Sequence, residues 1–159
     1  MTPLRIEPLG DAAVYAEFSA VLDLKVNEAL QSVAVALRAR APDWVRDVVP
    51  SLGGIALHID PDHPGLPDDP LGAATALLRE ALRSASRAHA ELRRIEIPVC
   101  YAPEFGLDLE EVAKKTGLPV EEVARLHAAR EHRVLMVGFA PGQPYIGGLD
   151  PRLAVPRRA

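Results

Sequence analysis

Twice before residue 90 the chain repeats one pattern: two short apolar runs joined by a turn, then a stretch whose apolar residues return every three or four positions. Residues 4–7 and 13–18 read as strands around Pro8-Leu9-Gly10-Asp11, where Gly10 and Asp11 supply the turn. Over residues 24–40, Val26, Leu30, Val33 and Leu37 make the stripe of an amphipathic helix, which Pro42 ends. The pattern then recurs. Residues 45–49 and 55–59 form a second strand pair around Pro50-Ser51-Leu52-Gly53-Gly54, and a loop dense in Pro and Asp follows over 60–70. Leu77, Leu78, Ala81, Leu82 and Ala85 mark a helix over 73–87. Strand, strand, helix, repeated once, predicts an α+β fold: a first domain over residues 1–89 with one small sheet and two helices on one of its faces.

Composition says what fills that core and which partners to discount. With 48% hydrophobic residues but only 4% aromatic ones, the interior must be built from Val, Leu, Ile and Ala, and stacking platforms for bases are scarce. The net charge of -4 leaves no broad cationic surface for nucleic acid or an anionic membrane. Cys100 is the single cysteine, which excludes an internal disulfide and a multi-thiolate zinc site within one chain and fits a reducing compartment. Residues 1–7 lack a signal layout, and no apolar run approaches the ~18 residues a membrane span needs. The expectation is a soluble, cytoplasmic protein.

A second domain is expected over residues 90–159. Leu92, Ile95, Ile97 and Val99 alternate as in a strand; Pro98 suits its edge or start, and Cys100 reads there as a small packed hydrophobe. Asp108-Leu109-Glu110-Glu111 has the form of a capping box, so a helix should run to Lys115, with Gly117 as its left-handed terminus and Pro119 opening a second helix to about residue 129. The outline is that of a helix-turn-helix. Its second helix, however, opens with Glu121 and Glu122, which would face phosphates, so the pair over 108–129 is read as a structural cap. Residues 134–139 return as a strand.

The next sixteen residues, Gly138 to Leu153, hold four glycines and three prolines. Prolines fix φ and glycines release it, so the segment is built to hold a shape. No Gly-Lys-Ser/Thr makes it a phosphate loop, and no Rossmann fingerprint is present. Nor do His58, His63, His89, His127 and His132 show the spacing of metal ligands.

Gly138-Phe139-Ala140-Pro141-Gly142-Gln143-Pro144-Tyr145-Ile146-Gly147-Gly148-Leu149 closely resembles the Gly-Phe-x-Pro-Gly-Phe-x-Tyr-x-x-Gly-Leu signature of the 5-oxoprolinase B-subunit family, also known as KipI or allophanate hydrolase subunit 1. Leu9-Gly10-Asp11-Ala12-Ala13-Val14, Val48-Val49-Pro50-Ser51-Leu52 and Ile97-Pro98-Val99-Cys100-Tyr101 extend the likeness over nearly the whole chain. The resemblance implies a small α+β domain followed by a cyclophilin-like β-barrel of the carboxyltransferase-domain type. Because the chain stops at Ala159, that barrel is expected to be incomplete, to be finished by further strands or by another chain.

It further implies a bacterial hydrolase subunit that works with a related barrel partner of the C type and a third partner of the A type to open 5-oxo-L-proline to glutamate with ATP. One branch of the family instead inhibits a sensor histidine kinase; another resembles the carboxyltransferase part of urea metabolism. On this reading Tyr145 and Arg157 are the candidate catalytic contacts, and Gly138, Phe139, Pro141, Gly142, Gln143, Gly147 and Gly148 shape a substrate-binding wall. Two positions depart from the family pattern: Gln143 stands in place of Phe, and His132 in place of Tyr.

Overall fold

Arg5–Pro8 (β1) and Ala13–Glu17 (β2) pair as an antiparallel hairpin, closed by Leu9 N–H donating to Ala13 O at 2.8 Å. The structure, a computed structural model, describes residues 2–84 and 93–156, and its contacts divide the chain into two units, Met1–Leu92 and Arg93–Ala159. In the first unit α1 (Leu24–Arg38) connects β2 to β3 (Val45–Pro50), and β4 (Gly54–Ile59) returns antiparallel between them. The sheet order is β1-β2-β4-β3. Since β4 runs against both neighbours, β2 and β3 are parallel, and α1 is the crossover such a pair requires.

The strand register decides which side chains meet the helices. Val14 and Val48 both lie opposite Leu57, and Ala16 and Pro50 opposite Ile55, so one face of the sheet presents a continuous aliphatic surface. Against it pack Leu30, Val33, Ala34 and Leu37 of α1, with Ala74, Leu78, Ala81 and Leu82 of α2 (Pro70–Ser84). Burying each large aliphatic side chain contributes about 1.5–3 kcal/mol over leaving it exposed.

Caps set the helix starts. Asp23 accepts from the amides of Lys25 and Val26 at 2.8 and 3.2 Å. The second helix begins earlier than the periodicity predicts because Asp69 accepts from the Gly72 amide at 3.0 Å while Pro70 occupies the first turn. Ala85 and Leu92 lie outside the described residues.

In the second unit α3 (Leu109–Thr116) and α4 (Val120–Ala128) precede a two-stranded antiparallel sheet of β5 (Arg133–Val137) and β6 (Pro144–Gly147), followed by a 3-10 turn at Pro151–Leu153. Among the described residues the sheet does not close into a barrel. Several local expectations are corrected. Residues 93–100 form no strand and pair with no described one, and Ile95, Ile97, Val99 and Cys100 are exposed rather than packed. Alternation marks a segment able to be a strand; whether it pairs is decided by a second segment.

Asp108 makes no side-chain cap bond, its backbone lying already in the helical region (φ -98°, ψ -2°) rather than in the extended one a capping residue favours. Glu111 pairs with Lys115 at 2.6 Å, one turn along. Gly117 does take the left-handed conformation, at φ 70°.

Candidate functional site

The Gly/Pro-rich segment is a β-hairpin with its C-terminal end bolted to the helical pair. β5 stops at Val137, short of the predicted Phe139, because the Gly138 amide donates to Gln143 O at 3.1 Å and the Gln143 amide to Ala140 O at 3.0 Å. These bonds close a tight tip over residues 138–143. At its crest Phe139 holds φ 69°, in the left-handed region that a bulky side chain rarely adopts, and the residue is 92% exposed. The second strand, β6, departs from the sequence expectation: Pro144 and the neighbouring glycines read as loop residues, yet Pro144 sits at the strand's first position, where a missing amide is tolerated.

The hairpin has two unlike faces. Val134 lies opposite Ile146 and Val137 opposite Pro144, and all four are exposed. On the other side Leu135 is buried, its methyl so close to the Gly147 Cα that a Cβ there would approach within 2.8 Å. Tyr145, half-buried, pairs with Met136 across the ladder, beyond an irregularity at Leu135. The Tyr145 hydroxyl bonds to none of the described residues. At Gly148, with φ +100°, a Cβ would sit 2.8 Å from Glu131 O, so only glycine lets the chain leave β6 there.

Past the hairpin, the Asp150 carboxylate accepts from the Arg152 amide at 3.0 Å and from the Arg152 guanidinium at 3.1 and 3.0 Å. These bonds hold the Asp150 carboxyl down at about 2. Arg152 also lies 3.8 Å from Glu122, which takes two 2.7 Å bonds from Arg125 and is thereby lowered too. Beneath this network Leu153 is buried with Ala113, Val123 and Leu126 in a small core shared by α3, α4 and the 3-10 turn. The helical pair thus clamps the end of the signature segment.

A second cluster escaped the sequence reading. Tyr101 Oη and His127 Nδ1 are 2.6 Å apart with their rings edge-on, and the His132 ring lies 5.1 Å from that of His127. His132 Nε2 donates to His127 O at 2.8 Å, closing the last turn of α4, a bond that a Tyr hydroxyl could also make. That is what His132 does in this chain. The spacing of Tyr101, His127 and His132 carries no recognisable motif.

Of the residues singled out from sequence, Gly138, Phe139, Pro141, Gly142 and Gln143 gather at the hairpin tip, and Tyr145, Gly147 and Gly148 along and after β6. Arg157 lies outside the described residues. Gln143 is exposed, so its amide incurs no burial demand. Among the described residues no cluster of three or more His, Cys, Asp or Glu is placed to hold a metal, and no helix is long and apolar enough to cross a membrane.

The family described as carboxyltransferase domain, subdomain C and D, matches residues 4–159. The 5-oxoprolinase B subunit of Bacillus subtilis (strain 168) is 35% identical over 161 residues, covering 98% of this chain and 67% of that protein. Its namesake from Escherichia coli O157:H7 is 48% identical over 69 residues, 43% of this chain and 32% of that one. Among solved structures, TTHA0988 superposes with a TM-score of 0.72 at 31% identity, over 92% of this chain and 27% of its own. The chain therefore spans about two thirds of the Bacillus relative and about a quarter of TTHA0988.

Proposed function

The chain belongs to the carboxyltransferase-domain family, subdomains C and D, and on that footing we propose that it is one component of a multi-subunit, ATP-dependent 5-oxoprolinase. The observation that carries this reading is the end-to-end similarity, 98% of this chain at 35% identity, to a protein named as the B subunit of 5-oxoprolinase. A cyclic amide is resonance-stabilised, so its opening needs an activated carbonyl and an oriented water. Tyr145 is the group on this chain suited to meet such a carbonyl: its hydroxyl has no partner among the described residues, and its backbone is paired with Met136 in the ladder.

The tip and second strand of the hairpin offer ATP no counter-charge. Residues 134–149 contain no charged side chain, and the nearby Arg152 is engaged with Asp150 and Glu122. We assign the nucleotide to companions of the A and C types and route no step through it on this chain.

The test is 5-oxoproline-dependent ADP release by the full chain mixed with both companions, each omitted in turn. Release that requires all three supports the reading, and Tyr145→Phe should then lower kcat by about 10²-fold, the scale for loss of one donor to a developing oxyanion. Release undiminished without this chain would sink it. Activity that requires bicarbonate and a biotinyl carrier would move the assignment to carboxyl transfer, the chemistry in the family's name.

A further inference from the structure

The face of the first sheet turned away from α1 and α2 carries polar groups that the fold leaves without partners. In β3 the register shifts between Val45 and Asp47: Val45 lies opposite Ile59 and Asp47 opposite His58, so Arg46 is an extra residue. Val45 and Val48 both pack toward the core, and the two residues between them are exposed. The bulge therefore turns Arg46 and Asp47 to the same side, where a regular strand would alternate them. His58 faces them from β4 and is the one residue of that strand that is not buried.

Arg46, Asp47, Val49, His58 and Ile59 line a concavity of 420 Å³ on this face, within the range of about 300–1,000 Å³ common to small-ligand sites. Neither the Arg46 guanidinium nor the His58 ring bonds to a described residue. The Asp47 carboxylate takes the Val48 amide on Oδ1 at 2.7 Å, and Arg38 lies 3.8 Å from that same oxygen, so among the described residues Oδ2 stays open. Arg46 and Asp47 form no ion pair with each other. Both signs of charge are thus presented side by side in one concavity. A purely anionic ligand would set its charge against Asp47 and a purely cationic one against Arg46, whereas a zwitterion meets both. The guanidinium fork matches a carboxylate, Oδ2 of Asp47 an ammonium, and Val49 offers contact to methylenes.

We propose that this pocket binds a free α-amino acid, with Arg46 on its carboxylate and Asp47 on its ammonium. Which amino acid it takes rests on the hydrolase reading: opening 5-oxo-L-proline converts a neutral lactam nitrogen into an ammonium, so the pocket accepts the product glutamate and discriminates against the substrate. It is a product-sensing site, in a different unit of the chain from the hairpin.

Both charged side chains are exposed and ion pairs open to water are weak, so a Kd of about 1 mM is expected. The test follows the His58 ring signals of the full chain by NMR, at fixed pH and ionic strength, during titration with L-glutamate, 5-oxo-L-proline and glutarate, which keeps the carboxylates of glutamate and lacks its ammonium. Glutamate should shift the signals, and the other two should bind at least about tenfold more weakly. Arg46→Ala should weaken glutamate by about tenfold or more. Asp47→Asn, which keeps an Oδ1 for the Val48 amide, should bind glutamate no better than glutarate.

Glutarate binding within about twofold of glutamate would overturn the proposal, since it would mark an unselective cationic patch. So would glutamate binding that Arg46→Ala leaves unchanged, or His58 signals that do not move at about 10 mM glutamate. ADP release that requires this chain while His58 stays unmoved refutes the pocket and leaves the hydrolase reading intact. Selective glutamate binding by a chain that the assembly does not need for ADP release refutes the hydrolase reading and leaves the amino-acid pocket.

Discussion

Asn27 shows how one residue ties a turn to a helix. It is the single buried polar side chain among the described residues, 1% exposed, and its amide donates to Ser51 O at 3.0 Å and Leu52 O at 3.4 Å, so α1 holds the β3–β4 turn. Asn27→Ala should lower stability in urea by about 1–3 kcal/mol, the cost of leaving buried carbonyls unpaired. Position 27 falls beside Val26 in the helical stripe, and the stripe alone does not say that an amide there would be buried or what it would bond. Asp150 makes a pH-dependent prediction. Its folded carboxyl is depressed to about 2, below the ordinary value of about 3.9, so its contribution is complete above about pH 4 and is lost as pH falls through 2. Amide exchange over residues 150–153 should quicken across that window, and Asp150→Asn should quicken it at pH 7 and flatten the dependence.

At the scale of elements, the helices and the first-unit strands were legible because their signals are local. Periodicity gives α1 and α2, and Gly117 and Pro119 place the break between α3 and α4. Two elements were not: residues 93–100 have a strand's alternation without a strand's partner, and β6 has a partner without alternation. Pairing is a property of two segments, and neither can be read from one. Leu153 supplies the element-scale test, since it joins the 3-10 turn to Val123 and Leu126. Leu153→Ala should cost about 2–5 kcal/mol in the second unit, read as faster hydrogen exchange in α3 and α4 with the α1 core unaffected.

At the scale of the molecule, the two units differ in how they treat apolar surface. The first buries its aliphatic residues between a sheet and two helices. In the second, Ile95, Ile97, Val99, Phe105, Leu107 and Phe139 are all more than half exposed. Apolar side chains exposed in this number call for cover, from further chain or from another protein. The isolated chain should bind a hydrophobic dye such as ANS, and adding a companion protein should reduce that fluorescence; fluorescence unchanged on complex formation would mean that this surface stays uncovered. The amino-acid sequence by itself determined the α+β class, the helix boundaries to within a few residues and the family, because periodicity, turn residues and a Gly/Pro signature act over short stretches of chain. Only the tertiary structure decided that the signature is a hairpin, that Phe139 crowns it under strain, and that Asp150, Arg152 and Leu153 fasten it to α3 and α4. Those outcomes depend on which distant backbone groups and side chains meet, and no single stretch of sequence carries that information.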